Sequence, residues 1–101
     1  MSSTVRTIVH VVLFKLKPSA NAGEFESRMA KLADLPTVQK LSSGPTFNTQ
    51  RAQGFTHVLV VDFADKDGLE KYSVHGDHLK FVDYVKETVE PGGILAVDIE
   101  K

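Results

Sequence analysis

Apolar residues follow two rhythms along this chain, and the change from one to the other marks its elements. From Arg6 to Lys17, "RTIVHVVLFKLK", β-branched and apolar residues crowd an extended stretch closed by Pro18, which predicts a first strand. Asn21-Ala-Gly-Glu24 then has the form of a helix cap with an acid three residues on. Phe25, Met29 and Leu32 follow at the i, i+4, i+7 spacing of an amphipathic helix, which Pro36 stops. Val38 to Thr49 is a second extended piece, broken by Gly44-Pro45, and a polar loop leads into the strongest strand, Phe55 to Ala64. Asp65 is placed to cap a short helix carrying Leu69 and Tyr72, and Gly76 to break it. Asp77 is read as the cap of a longer helix to about Thr88, with His78, Phe81, Val82, Val85 and Val89 on its inner stripe. Gly92-Gly93 then turns the chain into a last strand, "ILAVDIE".

The order β-α-β-β-α-β predicts an α+β, ferredoxin-like fold, a four-stranded antiparallel sheet with helices on one face. Residues 1–101 read as a single domain without linker, repeat or low-complexity tract. Strand parity adds a complication. Val9, Val11 and Leu13 fall on one face of the first strand, and Ile8, Val12 and Phe14 on the other. Val58 and Val60 likewise oppose Phe55, Leu59, Val61 and Phe63. Helices cover one face of such a sheet, yet both faces are apolar. Each large apolar side chain left in water forgoes about 1.5–3 kcal/mol. The expected partner is therefore a second copy of the chain, packed sheet to sheet into a dimeric α/β barrel.

Composition narrows the function classes. Hydrophobic residues make up 42% and charged residues 25%, as in a soluble folded domain. Twelve Lys+Arg against thirteen Asp+Glu give a net charge of −1 with the signs interspersed, which disfavours nucleic-acid binding. No apolar run approaches the roughly 20 residues of a membrane span. The lack of cysteine excludes disulfides, thiolate nucleophiles and Cys-based zinc sites, and fits a reducing, cytoplasmic setting. Arg6, the apolar run and Ala20-Asn21-Ala22 have the outline of a secretory leader. His10, Lys15, Lys17 and Pro18 interrupt it, so the segment is read as structure.

Chemistry must come from four histidines and their neighbours. His10 and His57 lie on apolar strand faces, where an imidazole is most simply a core residue with backbone or water partners. His78 heads the inner stripe of its helix, and Tyr72 faces the same space from the preceding one. An imidazole beside a phenol in a concave apolar pocket is equipment for proton transfer. The helix N-terminus favours the free base at His78, and adjacent Asp77 opposes it unless its carboxylate is occupied as a cap. His75-x-x-His78 has the spacing of a metal pair, but the break at Gly76 separates the two, and a third ligand would have to come from His10, His57 or a distant acid. No metal is expected. With no phosphate loop or dinucleotide fingerprint, no cofactor is expected either.

His10-Val-Val-Leu-Phe-Lys-Leu-Lys, Gly54-Phe-Thr-His57-Val with Asp62-Phe63, and Tyr72-Ser-Val-His75-Gly-Asp-His78 together resemble the stress-responsive dimeric α/β-barrel (Dabb) family, over essentially the whole chain. The resemblance implies the same sheet-to-sheet homodimer. By likeness to a plant polyketide cyclase of that family, it also implies a cofactor-independent aldol closure of a linear β-polyketo chain. His78 would then be the general base at an acidic methylene, and Tyr72 would polarise the carbonyl and stabilise the enolate. His10, His57, Met29 and Phe81 would bind the substrate. Met29 stands where the cyclase has a tyrosine, Gly76-Asp77 where it has proline and alanine, and Glu90-Pro-Gly-Gly where it has an aromatic-rich stretch. These departures imply a reshaped tail end of the pocket. Two further readings are a non-catalytic stress protein binding a small apolar ligand and a cofactorless monooxygenase of aromatic polyketides.

Overall fold

In the computed structural model, which describes residues 7–101, strand β1 (Ile8–Leu16) is an inner strand of the sheet. It pairs antiparallel with β3 (His57–Phe63) on one side and with β4 (Val89–Glu100) on the other. Strand β2 (Lys40–Pro45) adds outside β3, giving the order β2-β3-β1-β4. Helix α1 (Ala22–Lys31), with a short 3-10 turn at Leu32–Asp34, follows β1; α2 (Lys66–Val74) and α3 (Gly76–Thr88) follow β3. This is the ferredoxin-like arrangement read from the sequence. The expected strand start at Arg6 lies outside the described residues.

Local chemistry explains the helix boundaries. Asn21 Oδ1 accepts from the Glu24 N–H at 2.9 Å, and Asp65 Oδ1 from the Gly68 N–H at 2.8 Å, so two of the three expected caps are present. The break between α2 and α3 has a different origin from the one the sequence indicates. His75, in extended backbone geometry, ends α2 and caps α3, its Nδ1 accepting from the Asp77 N–H at 3.1 Å. Gly76 is the first residue of α3, and Asp77 donates its backbone to the cap instead of providing it.

Between helices and sheet lies one core, in which Phe25, Met29, Val61 and Phe63 are wholly buried. Phe25 meets Phe14 edge-on at 5.2 Å and Phe81 at 5.8 Å, tying α1, β1 and α3 together. The alternation then decides the rest. Ile8, Val12, Phe14, Leu59, Val61 and Phe63 are buried toward the helices. Val9, Val11 and Leu13 sit in register opposite Ile99, Val97 and Leu95 on the face without helices. There Leu95, Val97 and Ile99 are 47%, 51% and 58% exposed, so an apolar surface runs across adjacent strands. Among the described residues, no helix is long and apolar enough to cross a membrane.

β4 begins at Val89, so Gly92-Gly93 lies within the strand and does not form a turn ahead of it, contrary to the expectation from sequence. Leu16 pairs with Val89 but Phe14 pairs with Ile94, so Glu90–Gly93 bulge from the ladder opposite Lys15. Gly92 has φ +72°, and a Cβ on Gly93 would lie 2.8 Å from the Glu90 carbonyl oxygen and 2.9 Å from Lys15 Cβ. Glycine is what the bulge tolerates at these positions.

Candidate functional site

A cavity of about 220 Å3 lies between the sheet and helices α2 and α3. His10 of β1, Tyr72 of α2 and His78 and Phe81 of α3 line it, with aliphatic walls from residues such as Leu59 and Val85. The Tyr72 ring is central. Its centroid stands 4.4 Å from that of His78, 6.2 Å from His10 and 4.9 Å from Phe63. The sequence-based pairing of Tyr72 with His78 across the helix break is thus a direct contact.

The tyrosine is 2% exposed, and its hydroxyl is buried with no hydrogen-bond partner among the described residues. Burial pushes the phenol up to about 12, so it stays an O–H donor at every physiological pH. His78 donates Nδ1–H to the Ser73 carbonyl at 3.1 Å, a contact that assigns the tautomer and leaves Nε2 with its lone pair. Burial lowers the His78 pKa from its ordinary value, aided by His10 and His75, while the Ser73 carbonyl opposes the shift. A half-buried neutral base therefore adjoins a buried neutral acid.

His10 has a partner that residue pattern did not indicate. Its Nδ1 lies 2.5 Å from Asp98 Oδ1 on β4, the residue directly opposite it in the ladder. The contact orients the ring and leaves Nε2 without a hydrogen-bond partner among the described residues. Asp98 is 88 positions away in sequence, and the β1–β4 register alone brings the two together.

Of the remaining residues expected to bind substrate, Phe81 lines the cavity, whereas His57 and Met29 are outside its lining. Met29 is wholly buried in the core under α1. His57, 4% exposed, packs against the Phe25 ring, with Nε2 2.7 Å from Glu26 Oε2 and Nδ1 2.9 Å from Thr56 Oγ1. Both its nitrogens are engaged within the fold. No three His, Cys, Asp or Glu side chains converge as metal ligands among the described residues.

Residues 8–101 match the family described as the stress responsive A/B barrel domain. A stress-response A/B barrel domain-containing protein of Arabidopsis thaliana is 38% identical over 96 residues, covering 90% of this chain and 35% of the relative. The chain thus spans about a third of that relative's length. A dimeric ferredoxin-like protein of unknown function from Thermobifida fusca superposes with a TM-score of 0.81 at 19% identity, over all of this chain and 96% of the other. The hydroxynitrile lyase from Passiflora edulis does so with a TM-score of 0.78 at 17% identity, over 94% and 93% of the two chains. These two likenesses are likenesses of fold.

Proposed function

The chain belongs to the stress-responsive A/B barrel domain family, and from that premise we propose that it is a cofactor-independent enzyme that cyclises a β-polyketo compound by an intramolecular aldol reaction. His78 Nε2 takes a proton from a methylene between two carbonyls. Tyr72 donates its O–H to the carbonyl oxygen on which enolate charge gathers, a hydrogen bond that strengthens as the reaction proceeds. The enolate carbon then bonds to a second carbonyl carbon of the same molecule. The resulting alkoxide recovers the proton from the His78 imidazolium, leaving a hydroxyl group and a regenerated base. His10, oriented by Asp98, accepts from the enol O–H of the bound substrate.

The observation carrying this reading is the Tyr72 hydroxyl, buried and unpartnered beside a neutral imidazole in an apolar cavity. An unpaired buried hydroxyl costs roughly 1–3 kcal/mol, which a ligand oxygen would recover. The Passiflora edulis enzyme, a lyase by name, supports the reading that this fold accommodates lyase chemistry. We further propose that the apolar sheet face of Val9, Val11, Leu13, Leu95, Val97 and Ile99 is covered by the same face of a second copy. The dimeric Thermobifida fusca neighbour supports this assembly.

The test is conversion of a linear triketo acid to its cyclic aldol product, followed by mass spectrometry. His78→Ala should lower the rate by about 10²–10⁴-fold while leaving the melting temperature within a few degrees of the wild type. Unchanged turnover in that variant would refute the assignment of the base.

A further inference from the structure

Helix α3 presents two surfaces to two different spaces, and Phe81 belongs to both. At about 100° per residue, His78, Val82 and Val85 cluster on one side of the helix and Asp77 with Lys80 on another, with Phe81 between them. The first side lines the cavity that holds Tyr72. The second lines a groove of about 310 Å3 between α1 and α3, floored by Leu32, Leu35 and Phe81 and rimmed by Lys31 and Asp34 as well as Asp77 and Lys80. Phe81 is the residue common to both linings. It is 7% exposed and held by Phe14 and Phe25, with ring centroids 6.3 Å and 5.8 Å away.

The two volumes give this wall a consequence. Alone, the cavity is below the roughly 300–1,000 Å3 typical of pockets for drug-sized ligands; joined to the groove it would fall within that range. The groove has an apolar floor and a rim of both charge signs, so the uncharged end of a ligand suits it better than an ionic one.

We propose that Phe81 is the specificity-determining partition of the site: it confines the ligand to a compact carbonyl compound and closes off the groove, where a long alkyl tail would otherwise lie. The carbonyl end of that ligand rests on the function proposed above; the partition itself does not. Removing the ring at position 81 joins the spaces and admits a longer tail without altering Tyr72 or His78.

Calorimetric titration of the intact protein with two probes, acetylacetone and a β-diketone carrying an unbranched dodecyl tail, tests this. Wild-type protein should bind acetylacetone and discriminate against the dodecyl probe. Phe81→Ala should bind the dodecyl probe at least about tenfold more tightly than wild type does, because several methylenes gain a buried site. Leu35→Trp, which narrows the groove, should cancel that gain when added to Phe81→Ala. Phe81→Leu, a smaller change in volume, gives a weaker gain and serves if the alanine variant does not fold. Equal affinity of the dodecyl probe for wild type and for a folded position-81 variant overturns the partition, as does a gain that Leu35→Trp leaves intact. A dodecyl gain without acetylacetone binding to any variant keeps the partition and overturns the carbonyl reading.

Discussion

Two histidines on neighbouring strands carry nearly the same equipment and spend it differently. His10 and His57 both project from the helix-covered face, and each lies within 2.7 Å of a carboxylate, Asp98 in one case and Glu26 in the other. The difference is what each ring has left over. His57 spends its second nitrogen on Thr56, whose hydroxyl also accepts from the Leu16 N–H, and so completes a network joining β1, β3 and α1. His10 holds one nitrogen against Asp98, makes no second ring hydrogen bond among the described residues, and lines a cavity beside the Tyr72 phenol, which likewise has no partner there. A histidine–carboxylate pair is therefore no sign of chemistry in itself. An unspent nitrogen at an open space is the part that distinguishes the two.

Exchanging each ring for an apolar side chain should separate these roles most sharply. His57→Leu should cost about 1–3 kcal/mol of folding stability, by loss of a buried hydrogen-bonded group, with turnover per folded molecule retained. His10→Leu should do the reverse. Its denaturation midpoint should stay near that of the wild type while kcat/KM falls about tenfold, the worth of one hydrogen bond made in the transition state. Urea titration and initial rates on the same samples decide it, and a His57→Leu variant that folds well but does not turn over would collapse the distinction.

Tyr72→Phe should be smaller in stability and opposite in sign to His57→Leu. Deleting a buried hydroxyl that has no partner should leave stability unchanged or raise it by up to about 1 kcal/mol, while affinity for acetylacetone falls. A clear drop in melting temperature would mean that the hydroxyl is satisfied within the fold and is not reserved for a ligand.

The finest contrast is in pH. The His78 pKa is lowered in the folded protein, so between that value and the ordinary one near 6.5 the unfolded chain binds the extra proton. The contribution of His78 to stability is complete above about 6.5 and is lost as pH falls toward the folded value. Turnover should follow the free base, declining on the acid side at a pH below the usual histidine midpoint. A rate that declines at or above that midpoint would assign the base to another group.

Much of this architecture was legible in residue pattern because its causes are local. Parity placed Val9, Val11 and Leu13 opposite Ile8, Val12 and Phe14, and the stripe from His78 to Val85 pointed that helix inward. The contact of Tyr72 with His78 followed because only a short break separates them. What stayed hidden depended on partners far away in sequence. Asp98 is one acid in an alternating strand until pairing sets it across from His10, and Glu26 reads as a helix-surface acid until β3 brings His57 beneath it. The break at positions 75 and 76 misled for a different reason: glycine is the usual helix terminator, and here an imidazole nitrogen caps the backbone instead.

The bulge at Glu90–Gly93 determines the phase of everything after it on β4. Because side chains alternate with a period of two, a slip of one residue beyond Phe14 would turn Asp98 to the sheet's open face and leave His10 opposite an aliphatic neighbour. The glycine at position 93 permits the tight approach to Lys15 that holds this phase. A single insertion or deletion within those four residues would thus turn the Asp98 carboxylate away from His10 and, with it, Ile94 out of the cavity lining, while leaving every helix residue of that lining in place.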